Sequence, residues 1–146
     1  MKKAKKTGEL IHELSSVSNI HEYFRRNEKE LIQGSLADRL QELIQKAGLT
    51  RSALTAKAGV DRYYMYDIFR GRKNPSADKL VCIALALELD LREAEDLLRL
   101  ADRPGLYARH PRDSILIFAI QHHLTVDAAN ALLDEGGQPL LSEEGK

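Results

Sequence analysis

Between Arg51 and Lys79 the chain sets seven basic side chains, Arg51, Lys57, Arg62, Arg70, Arg72, Lys73 and Lys79, against three acids, Asp61, Asp67 and Asp78. An excess of that size is a local positive field of the kind that phosphate binding requires, although charge alone also describes a solvated mixed surface. Spacing adds to composition. If Met65, Ile68 and Phe69 face a core at about 100° per residue, the opposite side of their helix carries Tyr63, Tyr66, Asp67 and Arg70, and Arg62 flanks that side near the helix start. Asp67 fits an anion-binding face least well. It either accepts from a cytosine amino group or orients Arg70 three residues on.

Two short helices joined by a tight glycine turn would position these residues. Thr50 is placed to cap the first, Gly59 to make the turn, Asp61 to cap the second and Gly71 to stop it. Leu54 and Ala58 share one face of the first helix, so two apolar stripes meet across the turn. This is how a protein presents a helix to DNA. Docked in that way, the early part of the second helix meets base edges in the major groove, which makes Arg62, Tyr63, Tyr66 and Arg70 the base-reading candidates.

The ordered set Leu40, Leu43, Gly48-Leu49-Thr50, Leu54, Gly59-Val60, Met65, Ile68, Gly71-Arg72-Lys73-Asn74-Pro75-Ser76, Leu80, Ile83-Ala84 and Leu87 extends the pattern over about a third of the chain. From about Leu36 to Leu89 the sequence resembles the helix-turn-helix domain of the Cro and lambda-repressor (Xre-like) class of bacterial regulators. Three positions depart from that class. Arg51 stands where Gln is common, Thr55 where Ala is usual, and Tyr63, Tyr64 and Tyr66 where small polar residues prevail. The first departure keeps a phosphate-binding side chain, the second crowds the helix crossing slightly, and the third leaves the base preference open. The resemblance implies a repressor rather than an activator, Arg51, Arg72 and Lys73 on the DNA backbone, and homodimerisation through an appended helical pair.

The remaining elements read as helices almost throughout. Leu10, Ile11 and Leu14 suggest a short amphipathic helix, and Asn19 with Glu22 opens a second through Ile20, Tyr23, Phe24 and Leu31 until Gly34. Ser35 with Asp38 opens the helix that stops at Gly48, Ser76 caps the helix bearing Leu80 and Leu87, and Asp90 with Glu93 opens the one through Ala101. Arg103-Pro104-Gly105 marks a boundary. Beyond it Pro111 starts a helix to about His123, and Thr125 caps another that runs to Gly136-Gly137. The run Ile115–Ile120 is apolar on every side and must be covered, either internally or by a second subunit. The expected fold is all-α: a helical N-terminal arm over 1–35, a five-helix lambda-repressor-like DNA-binding domain over 36–103, and a C-terminal helical extension over 104–146, for which dimerisation is expected ahead of a purely internal role.

At 146 residues and 43% hydrophobic the chain has material for one sizeable core. Its zero net charge is unevenly spread, at +2 over residues 1–35, +3 over 36–89 and −5 over 90–146. Cys82, the lone cysteine, sits in an apolar run, which favours a buried side chain and a reducing compartment. Met1-Lys2-Lys3-Ala4-Lys5-Lys6 lacks the apolar stretch of a signal peptide, and no run approaches a membrane span, so a soluble cytoplasmic protein with no membrane partner is expected. Catalysis has little support. His122 and His123 point apart on a helix, His12, His21 and His110 are isolated, and there is neither zinc spacing nor a glycine-rich phosphate loop. No catalytic residue, metal or cofactor is expected, and the partner is double-stranded DNA. The alternative is a protein partner: Tyr and Arg are favoured at interface hot spots, so a helix-turn-helix-derived adaptor or regulator of a neighbouring protein would use the same face.

Overall fold

A computed structural model describes residues 5–31 and 35–141. Among the described residues the chain forms nine α-helices and one short 3-10 turn, with no strand. They fall into two compact units, one within 1–33 and one within 34–146.

The first unit is a helical hairpin of α1 (Thr7–Ser16) and α2 (Ile20–Arg26), followed by a 3-10 turn at Glu28–Glu30. Asn19 caps α2 by accepting from the His21 N–H at 2.8 Å. The helix ends five residues before Leu31, and Gly34, its expected stop, lies outside the described residues. A polar knot closes the hairpin. Lys5 Nζ donates to Glu13 Oε1 and to Asn27 Oδ1, both at 2.6 Å, while Asn27 Nδ2 donates to Glu13 Oε2 at 2.6 Å. Hydrogen bonds from Lys5 and then from Asn27 hold the Glu13 carboxyl below its ordinary value of 4.5. The knot therefore stabilises the hairpin above that pH and is lost as acid protonates Glu13.

The second unit holds α3 (Leu36–Ala47), α4 (Arg51–Ala58), α5 (Arg62–Phe69), α6 (Ala77–Ala86), α7 (Leu91–Leu100), α8 (Pro111–Gln121) and α9 (Val126–Glu135). Six of these begin at a side-chain oxygen that accepts the N–H three residues on: Ser35, Thr50, Asp61, Ser76, Asp90 and Thr125. At Asp90 the bond is returned by Glu93, completing a capping box. Every residue from Lys79 to Leu87 is buried, so α6 is the central helix, with α4, α7, α8 and α9 packed round it and α3 laid on α5 and α7. Cys82 lies within that core, and burial pushes its thiol up to about 11.

The C-terminal pair contributes to the same core. Leu116, Ala119, Ile120, Ala129 and Leu133 join one buried cluster with Leu40, Leu54, Leu80 and Leu97. Arg112 fixes the start of α8. Its Nη1 and Nη2 donate to the two Asp78 carboxylate oxygens at 3.0 and 2.9 Å, and its Nε and Nη2 donate to the carbonyls of Pro139 and Leu140, both at 3.0 Å. The apolar run of α8 is covered on one side only. Phe118 stays exposed and lies against the His122 ring, with centroids 4.1 Å apart.

The helices α6, α7 and α8 are each followed by a non-glycine residue in the left-handed region, Glu88 (φ 54°), Asp102 (φ 56°) and His123 (φ 52°). A side chain there crowds the following carbonyl, a strain that glycine lacks. Glu88 is exposed, so Glu88→Gly removes the strain without opening the core, and denaturant unfolding should show a gain of about 0.5–1 kcal/mol after glycine's greater unfolded-state entropy is subtracted.

Candidate nucleic-acid interface

Three residues, Gly59, Val60 and Asp61, connect α4 to α5. Gly59 takes φ +66°, a left-handed turn that lets the Val60 N–H reach back to the Thr55 carbonyl at 3.3 Å and buries the Val60 side chain. One Asp61 oxygen then accepts the N–H groups of both Tyr63 and Tyr64, at 3.0 and 3.1 Å, which fixes the first turn of α5. Leu54, Ala58, Met65, Ile68 and Phe69 are buried, so the apolar stripes of both helices face inward.

The outward stripe of α5 carries Arg62, Tyr63, Tyr66 and Arg70, all exposed, with the tyrosines at 67% and 50%. They form two pairs. Arg62 Nη2 donates to the Tyr63 hydroxyl at 3.0 Å with its guanidinium 5.0 Å from the ring centroid. Arg70 Nη1 donates to the Tyr66 hydroxyl at 2.6 Å with its guanidinium 5.2 Å from that ring. Asp67 is half-buried and, among the described residues, makes no ion pair with Arg70. Tyr66, not Asp67, orients that arginine.

Arg51 is exposed at the start of α4. Its guanidinium stacks 4.3 Å from the Phe69 ring centroid, and its Nε and Nη2 donate to Gln41 Oε1 at 3.3 and 3.0 Å. Arg72 and Lys73 are exposed in the loop after α5, with Lys73 Nζ 5.2 Å from the Tyr64 ring. That loop is pinned at several points. Gly71, at φ +71°, lets the Arg72 N–H reach the Asp67 carbonyl at 2.8 Å. Arg103 donates to the carbonyls of Pro75 and Asn74 at 2.9 and 3.2 Å, and Asn74 Nδ2 donates to the Ala101 carbonyl at 2.8 Å.

Lys79 requires a correction. Counted by sequence with the basic face, it is 1% exposed, with its ammonium 5.8 Å from the Tyr64 ring, so it adds nothing to the solvent-facing charge. Conversely, Gln41, the Phe69 platform and Arg103 organise the face although sequence reasoning singled out none of them for it. Between α4 and α5 lies an open cleft of about 490 Å³, lined by Arg51, Thr55, Val60, Arg62, Met65 and Phe69 among others. It is largely apolar, with arginines on its rim. Among the described residues no cluster of His, Cys, Asp or Glu could hold a metal, and no helix is long and apolar enough to cross a membrane.

Residues 35–105 match a helix-turn-helix domain family, a span that takes in α3 to α7. The match supports a DNA-binding regulator, and domains of this family are typically non-enzymatic. No curated protein and no solved structure gives a match.

Because Asp61 satisfies two otherwise orphaned N–H groups, its removal tests how α5 is anchored. Asp61→Ala should lose about 1 kcal/mol in denaturant unfolding and Asp61→Asn should retain most of the stability, since Asn caps nearly as well.

Proposed function

We propose that this chain is a sequence-specific DNA-binding transcriptional regulator of the Cro and lambda-repressor class, acting as a repressor by inserting α5 into the major groove. The observation that carries the reading is the outward stripe of Arg62, Tyr63, Tyr66 and Arg70 on the second helix of a capped helix-turn-helix, within the matched span 35–105. These four residues read base edges. Arg51, Arg72 and Lys73, at a helix start and in the following loop, hold phosphates on either side. Helices α3 to α7 make up the five-helix DNA-binding domain, and the hairpin of α1 and α2 forms the N-terminal arm. The α8–α9 pair, whose outer side exposes Phe118, joins two copies on an inverted repeat.

A second reading has one observation in its favour. The apolar cleft between α4 and α5 suits an apolar side chain better than a phosphate, and its arginine rim would accept an acidic partner, as expected of a protein-interaction adaptor. Sequencing the genomic DNA that co-purifies with the full chain separates the two, since one enriched motif supports the regulator and its absence supports the adaptor.

Salt titration probes the phosphate contacts. Binding should weaken steeply with added salt, and Arg72→Ala or Lys73→Ala should each lower the log–log slope by about one, because neutralising one phosphate releases about one counterion. Lys79→Met should leave the slope unchanged, because that ammonium is buried. An affinity indifferent to salt would argue against the DNA reading.

Light scattering probes the assembly. The full chain should be a dimer at micromolar concentration that addresses half-sites about 34–36 Å apart. Phe118→Glu, at an exposed position, should yield a folded monomer that keeps half-site binding and loses the full palindrome.

A further inference from the structure

We infer that the DNA half-site carries two guanines within one or two base-pair steps of each other, each read by one arginine–tyrosine pair of α5. The inference rests on the DNA-binding reading above and names what that site binds. In the major groove guanine alone offers two acceptors side by side, O6 and N7, whereas adenine pairs an acceptor with a donor and thymine offers one acceptor beside its methyl group. A guanidinium fork matches that pair of acceptors, and the face carries two such forks.

Each fork is already held. Arg62 gives one N–H to the Tyr63 hydroxyl and Arg70 gives one to the Tyr66 hydroxyl, with both guanidinium groups over the tyrosine rings. One of five N–H donors is used in each case, leaving enough for a bidentate contact. A side chain ordered before binding loses less freedom when it meets a base, so the phenols act as positioning residues for the arginines.

The pairing also sets the spacing. The backbones of Arg62 and Arg70 are eight residues apart, about 12 Å of helix rise, which would spread extended arginines over three or four base pairs at about 3.4 Å each. Folded onto Tyr63 and Tyr66, whose backbones are only three residues and about 4.5 Å of rise apart, the two guanidinium groups are drawn toward each other, which favours a spacing of one or two base pairs over the three or four of extended side chains.

Selection from fully randomised duplexes by the full-length protein tests this, with sites ranked by competition binding. Two guanines at adjacent or alternate base pairs should be enriched. Arg62→Ala should relax one of them and Arg70→Ala the other, each by about tenfold in preference. Tyr63→Phe and Tyr66→Phe keep the ring and remove only the hydroxyl, and each should relax the same guanine as its arginine partner, an effect that a purely structural tyrosine would spread over every position. Guanines three or four steps apart, a motif without two guanines, or phenylalanine variants that leave both positions intact would overturn the inference while sparing the regulator reading. A pool that yields no motif would overturn both.

Discussion

The burial of α6 on every side is the constraint from which the rest of the unit follows. A helix whose residues from Lys79 to Leu87 are all excluded from water has no face to turn to solvent, so other helices must enclose it. One of them is α4. The first helix of the helix-turn-helix is thus seated on the core, and α5 is held to it by a three-residue turn with no slack. The stripe that α5 presents outward is in this sense set by the packing of α6. Enclosure also explains α8 and α9. Their inner residues supply cover that α3, α4, α5 and α7 leave incomplete, and Arg112 clamps the start of α8 to Asp78 on the first turn of α6.

Local chemistry was legible in the sequence and distant chemistry was not. Ser35, Thr50, Asp61, Ser76, Asp90 and Thr125 each act within three residues of themselves, so every one of these caps stands in the structure where its residue type placed it. The same holds for Gly48, Gly59 and Gly71 in left-handed turns. Two helices end before the residues that their apolar pattern and turn signals mark. Leu31 lies beyond α2, and α8 gives way at Gln121 because His123 takes a left-handed turn without being glycine. Lys79 looked like a surface charge because its position in α6 gives no hint that neighbours cover all sides of that helix. The interactions that organise the candidate site escaped for a related reason. Arg51 meets Gln41 across ten residues and Arg103 meets Pro75 across twenty-eight, and no periodicity reports pairs at such separations. The outward set on α5 was visible, because a single helix fixes it. How its members pair was not, since one face at helical spacing allows either Asp67 or Tyr66 as the partner of Arg70.

A chain of zero net charge is an unpromising binder of a polyanion until its acids are followed individually. Of the three between Arg51 and Lys79, Asp61 has one oxygen accepting two backbone N–H groups at the positive end of α5, so the helix itself offsets its charge. Asp78 is held in a two-pronged bond by Arg112. Asp67 is half-buried at the margin of the exposed stripe. Arg51, Lys57, Arg62, Arg70, Arg72 and Lys73 remain exposed. Arg51, Arg62, Arg70 and Lys73 lean on neutral side chains or aromatic rings, which leave their charge intact. The field at this face is therefore more positive than the count of residues suggests, even with Lys79 removed from it. Charges more than about 8 Å away through solvent are screened at physiological ionic strength, so acids remote from this face subtract little from what a phosphate would meet there. The zero total is a property of the whole chain, while attraction to an anion is decided over a few ångströms.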